Sequence, residues 1–196
     1  QLDKILASLD LNKKPKLLLH SCCAPCSSYC LEYLNQYFDI TLYFYNPNIV
    51  DREEFQKRFE ELRRLVDETK LNANIVCPPY EPSEFTEKVK GYENCPEGGD
   101  RCGICYALRL KSACDYAEQN GYDYFCSTLS ISPHKDAQKL NSIGYALAQG
   151  KSVEYLPNDF KKRGGYLRSI ELSEKHGLYR QNFCGCIFGK QNQTKN

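Results

Sequence analysis

The chain has 196 residues, 26 Lys and Arg against 25 Asp and Glu, and a formal net charge of +1. That length suits one α/β domain with a full core, and the charge balance excludes a protein that gathers a polyanion by its overall field, so any nucleic-acid site must be a local patch. The twelve cysteines are the anomaly: with no apolar run near the roughly eighteen residues of a membrane span, and an N-terminal QLDKILASLD that reads as a short amphipathic helix rather than a signal peptide, the expectation is a cytoplasmic protein whose clustered thiols bind metal or do redox work.

The first element after that helix is the apolar run Leu17-Leu18-Leu19-His20, a buried strand that stops at Ser21-Cys22-Cys23-Ala24-Pro25-Cys26, followed by a helix over about 27–37. In open α/β sheets ligands sit beyond the carboxyl ends of the strands, so this turn lies where a nucleotide-binding protein would carry glycines; it offers sulfur instead, which suits soft metal ions. Residues 39–45 read as a second buried strand closed by Asn46-Pro47-Asn48. A long helix then buries Phe55, Phe59, Leu62, Leu65 and Val66 and turns Arg52, Glu53, Lys57, Arg58, Glu61 and Arg64 outward. A short strand over 73–77 stops at Pro78-Pro79, and Ser83 is placed to cap a helix reaching about Lys90. The Gly/Pro-rich loop 91–106 interrupts the alternation with Cys95, Cys102 and Cys105; a helix to about Asn120 follows, ended by Gly121 in a left-handed cap. Strand 122–126, the hydroxyl-rich loop 127–134, helix 136–149 and strand 153–156 complete a pattern that predicts a mostly parallel, Rossmann-like sheet with helices on both faces in one domain over 1–196.

Cys102-x-x-Cys105 is the firmest chemical signal, because two thiolates three residues apart at a loop-to-helix junction reach one metal centre while the helix N-terminus offsets their charge. With Cys22 and Cys23 it makes four thiolates, the count for a [4Fe–4S] cluster or a structural zinc, and a position at the functional edge of the sheet favours the cluster. Cys26 is a substitute ligand or a ligand to a second metal, an additional iron, with Asp100 as an oxygen donor beside it. Cys184-Gly185-Cys186 is either a redox-active dithiol, since one glycine lets the chain fold sharply enough for the sulfurs to meet, or a second pair of metal ligands. Cys30, Cys77, Cys95, Cys114 and Cys126 read as structural thiols, with Cys77 and Cys126 at the ends of core strands, and His20 as a hydrogen-bonded structural imidazole. Lys161, Lys162, Arg163, Tyr166 and Arg168, followed by Tyr179 and Arg180, interleave cations with aromatics as surfaces for RNA loops do.

His20-Ser21-Cys22-Cys23-Ala24-Pro25-Cys26, the segment from Gly98 to Tyr106, Thr128-Leu129-Ser130-Ile131-Ser132-Pro133, the segment from Tyr155 to Lys162 and the segment from Tyr179 to Cys186 together resemble the QueH family of cobalamin-independent epoxyqueuosine reductases. The resemblance covers about Lys16 to Phe188 and implies reduction of epoxyqueuosine to queuosine in tRNA anticodons, on a fold related to adenine-nucleotide α-hydrolases. It implies an iron–sulfur cluster on Cys22, Cys23, Cys102 and Cys105 and a redox-active pair at Cys184 and Cys186, and leaves the external electron donor unnamed. The first turn lacks the Ser-Gly-Gly-x-Asp-Ser loop of ATP-using relatives, which counts against the alternative of a tRNA sulfurtransferase; a zinc-stabilised RNA-binding module without catalysis is the other competitor.

Overall fold

In the computed structural model, which describes residues 1–71 and 73–189, the expected strands form one parallel sheet in the order β3-β2-β1-β4-β5. The strands are β1 (Lys16–His20), β2 (Asp39–Tyr43), β3 (Ala73–Val76), β4 (Tyr124–Ser127) and β5 (Glu154–Tyr155). Leu17, Leu18 and Leu19 are fully buried at the centre, which is why β1 reads as an unbroken apolar run and not an alternating one. The helices are α1 (Leu2–Ser8), α2 (Ala24–Leu34), α3 (Arg52–Thr69), α4 (Ser83–Lys88), α5 (Asp100–Gln119), α6 (Ala137–Ala148) and α7 (Gly165–Lys175). α2 packs with α3 and α7, and α5 packs with α6 and against β1 and β4. This is an α/β Rossmann-like architecture.

The order places the change of winding direction between β1 and β4. The connection through α2 leads from β1 to β2 on one side, whereas β4 and β5 lie on the other. Such a switch point opens a crevice beyond the carboxyl ends of the two strands, and the segments entering it are Ser21–Cys26 after β1 and a 3₁₀ turn, Thr128–Ile131, after β4.

Several boundaries differ from the expected ones, and two of the differences matter chemically. α2 starts at Ala24 rather than near residue 27, with Cys23 at its N-cap position and Pro25 in its first turn, where a fixed φ and a missing N–H cost nothing. α5 starts at Asp100, so Cys102 and Cys105 lie inside the helix instead of at its margin. Elsewhere Pro82, not Ser83, precedes α4, and no side chain caps that helix. Cys77 is exposed just past β3, which is partly exposed along its length, so it is no core thiol. Gly121 takes φ +65° after α5, as the left-handed termination requires. The outward face expected of α3 is also divided: Arg58 is 3% exposed and Glu54 is buried one turn before it, where Arg58 Nε donates to Glu54 at 2.6 Å.

Candidate metal and thiol centre

The end of β1 is held rigidly before any sulfur appears. His20 is fully buried, with Nδ1 2.8 Å from the Ser127 hydroxyl at the end of β4 and Nε2 3.0 Å from the Tyr45 carbonyl. Burial, with the Arg109 charge beside it, lowers its pKa to about 3, so it is a neutral structural imidazole as its position in the strand implied. Asn46, in the turn after β2, donates to the Ser21 carbonyl at 3.0 Å and ties the neighbouring crevice wall to the thiol turn. From this base Cys22, Cys23 and Cys26 bring their sulfurs within 4.8 Å of one another, and the Cys22 and Cys23 sulfurs are 3.7 Å apart. Two thiolates on one tetrahedral ion with metal–sulfur bonds of about 2.3 Å would stand about 3.8 Å apart, so the group suits a thiophilic metal. Cys26 joins it because α2 starts early and its first turn folds the third sulfur back onto the other two. Hydrogen bonds from Cys23 and Cys26, helped by Arg109 and Thr128, hold Cys22 well below the usual thiol range; in return Cys23 is pushed up to about 12 and Cys26 is raised well above 9.0. Asp100 lies exposed at the start of α5, outside this group of three.

Arg109, on α5, links the first thiol turn to the other cysteines. It is 2% exposed and donates to Asn46 Oδ1 at 2.5 Å. Burial works against its charge, but Cys105, Cys22 and Cys184 act in the opposite sense and outweigh it, so its pKa is raised. Cys105 stands one helical turn before Arg109, and burial pushes its thiol up to about 11. Cys102, in the same first turns of α5, accepts from the Gly98 N–H at 3.3 Å. One buried guanidinium thus serves sulfurs from three distant segments, which the spacing of the cysteines alone does not reveal.

The last segment crosses α3 to bring its own thiols in. Arg64 donates to the carbonyls of His176 and Gly177, Tyr179 N–H donates to Glu61 at 2.7 Å, and the Arg58 guanidinium lies over the Phe183 ring. Cys184 is half-buried and Cys186 is 8% exposed. The Cys186 hydrogen bond, then Lys135 and Arg109, hold Cys184 well below the usual thiol range, whereas Cys186 is pushed strongly upward. Lys135 Nζ lies 3.4 Å from Cys184 Sγ and 3.4 Å from Glu97; although burial opposes its charge, Cys184, Tyr106 and Glu97 raise its pKa. Gly185 between the thiols takes φ +91°, and a Cβ there would meet both terminal nitrogens of Arg58 and Ile49 at 3.1 Å. Gly185→Ala is therefore expected to cost about 1–3 kcal/mol of stability and to slow closure of a 184–186 disulfide, measured by urea unfolding and by thiol titration during oxidation. Unchanged stability and oxidation rate would mean that the turn relaxes freely.

Cys22, Cys23, Cys26 and Cys184 all line one cleft of about 590 Å³. The cation–aromatic residues are divided around it. Tyr166 and Arg180 reach the cleft wall, and Lys161 Nζ donates to the carbonyls of Ser130 and Lys135 close by. Lys162 is 78% exposed, Arg163 pairs with Asp3, and Arg168 pairs with Glu32 and Glu171. Arg109, Lys135, Arg58, Asn48 and Gln181 also belong to the cleft wall, though none of them takes a site role from the sequence reading; Gln181 lies within the segment from Tyr179 to Cys186, and Arg58 looks like one more charge on a solvated helix face.

A family model described as Epoxyqueuosine reductase QueH matches residues 17–192. Among curated proteins, the chain is 44% identical over 186 residues to "Epoxyqueuosine reductase QueH" of Staphylococcus aureus, covering 92% of this chain and 78% of the relative. It is 43% identical over 184 residues to the protein of the same name from Streptococcus pyogenes, covering 92% and 72%, and 33% identical over 178 residues to that of Thermotoga maritima, covering 88% of each. With two of its thiol segments in one cleft at the switch point and the match spanning nearly all of its length, the chain belongs to the epoxyqueuosine reductase QueH family.

Proposed function

We propose that this chain reduces epoxyqueuosine to queuosine in tRNA, with Cys184 and Cys186 as the redox pair and a [4Fe–4S] cluster on Cys22, Cys23, Cys102 and Cys105. The observation that carries the proposal is the meeting, in one cleft, of the three-thiol group after β1 with Cys184 and its buried lysine. Cys26, which stands with Cys22 and Cys23, is the candidate ligand of an additional iron, and Asp100, at the start of α5, is the candidate oxygen donor. The donor set is all sulfur around the cluster, sits over the N-terminal turns of α2 and α5, and has Arg109 to offset accumulated negative charge. A bound cluster would supply Lewis acidity and one-electron exchange.

The reaction balances on the protein's own thiols. Both C–O bonds of the epoxide break, the ring carbons become an alkene, and the oxygen leaves as water. The two electrons come from Cys184 and Cys186, which form a disulfide, and their two protons equal those that the water takes up. Cys184, held as thiolate beside Lys135, is suited to act first; Lys135 keeps a proton 3.4 Å from that sulfur, and Cys186 keeps its own. An external reductant then restores the dithiol. The cations and aromatics at 161–168 and 179–180 are the proposed contact with the anticodon loop, with Tyr166 and Arg180 nearest the cleft.

Anaerobically prepared protein should contain about four iron and four sulfide per chain for the cluster and absorb in the visible. Incubated with dithionite and tRNA carrying the epoxide, it should yield queuosine by nucleoside mass spectrometry. A colourless zinc protein that leaves the epoxide intact would instead identify an RNA-binding module.

A further inference from the structure

Three buried polar side-chain atoms in the cleft wall have no hydrogen-bond partner among the described residues: Asn48 Oδ1, Arg58 Nη2 and Gln181 Oε1. They come from separate parts of the chain, namely the turn after β2, the middle of α3 and the approach to the thiol pair. Asn48 is 1% exposed and Arg58 3% exposed. Leaving such groups without a partner is costly, and native proteins leave few of them unless something else binds there. The contrast with their neighbours is local. Two residues before Asn48, Asn46 is bonded at both ends of its amide. Arg58 commits Nε to Glu54 and points Nη1 at the Cys184 carbonyl at 3.5 Å, which fixes the guanidinium and leaves Nη2 to offer its hydrogens to the cleft.

The position and the chemistry of the three atoms limit what can satisfy them. Nη1 and Nη2 of Arg58 pack on Gly185, so an acceptor bound by Nη2 lies beside the Cys184–Cys186 pair. Each amide offers an acceptor and two donors whichever way it is turned. With their oxygens left unpartnered, as the structure has them, the two amides call for a donor, which a phosphodiester does not carry. Adjacent hydroxyls, which donate and accept at once, match the set. In epoxyqueuosine, the cyclopentane ring that bears the epoxide also bears two neighbouring hydroxyls.

We propose that Asn48, Arg58 and Gln181 form the subsite for the ring diol, holding the epoxide carbons against the thiol pair. The assignment rests on the reductase reading and deepens it: these residues recognise the modified ring, whereas the basic residues hold the tRNA. It makes ring recognition a property of polar atoms other than the thiols.

The test measures equilibrium binding of the iron-loaded protein to three tRNAs of one sequence, bearing the epoxide, the alkene product, or the same deazaguanine with only an aminomethyl group. The wild-type protein should bind both ring-bearing tRNAs about tenfold more tightly than the aminomethyl form. Asn48→Ala and Gln181→Ala should remove most of that preference while leaving affinity for the aminomethyl tRNA unchanged; Arg58→Lys, which keeps the charge but not the fork, should do the same. Lys162→Ala should weaken all three alike. Equal binding of the three tRNAs by the wild-type protein, or an undiminished preference in the Asn48 and Gln181 variants, would overturn the subsite. Conversion of the epoxide by the wild-type protein is scored separately: its failure with the ring preference intact removes the reductase reading and leaves the subsite standing.

Discussion

Serine in place of Cys184 or Cys186 is expected to lower turnover by at least about a thousandfold while iron and sulfide remain bound. Serine is nearly isosteric but does not form the S–S bond that releases two electrons, so either substitution stops the reaction after binding. The two cysteines should differ in reactivity before that point. The Cys186 hydrogen bond and the Lys135 and Arg109 charges bring Cys184 well below the usual thiol range, and Cys186 is pushed the other way. Iodoacetamide should therefore modify Cys184 first, and the inflection of its rate against pH should lie below the usual thiol value of about 8.5. A lowered pKa means that the thiolate persists as pH falls; Lys135→Met removes one source of the lowering, so the inflection should move upward. Loss of visible absorption in the Cys184 or Cys186 variants would make those residues cluster ligands and would refute their assignment as the reductant.

Arg109→Met is expected to cost on the order of 3–5 kcal/mol of stability, the penalty for removing one partner from a buried charged set. The side chain is almost fully buried, bonds Asn46 in the turn after β2, and is the common cation for Cys22, Cys105 and Cys184. Its loss leaves Asn46 Oδ1 unpaired and several sulfurs without compensation, so iron content should fall together with the unfolding midpoint. Arg109→Lys should recover only part of the effect, because an ammonium reproduces the charge but not the planar fork. Urea unfolding of the reduced protein and iron analysis after anaerobic preparation check both expectations; an Arg109→Met protein with wild-type stability and iron would show that the thiol centre needs no buried cation.

The elements were legible where one local property decides them. Leu17-Leu18-Leu19 had to be a doubly covered strand, because three consecutive leucines bury on both faces of a sheet and alternate on none. The regular succession of strand and helix implied the parallel sheet. The exact start of α2 was not legible, although Pro25 carried the signal: proline suits a first helical turn, and that turn is what draws Cys26 in with Cys22 and Cys23.

By itself, then, the sequence determined the layered fold, the thiol segments and the family to which they belong. The tertiary structure alone decided which groups surround those thiols. Arg58 leaves the polar stripe of α3 because the segment after Tyr179 lies across it, Arg168 is tied to Glu32 on α2, and Lys135 becomes a partner of Cys184 from 49 residues away. Helical period and residue type are properties of neighbours along the chain. Burial, pairing and charge at the cleft depend on which distant segments the sheet order brings to the open ends of β1 and β4, and no local pattern encodes that.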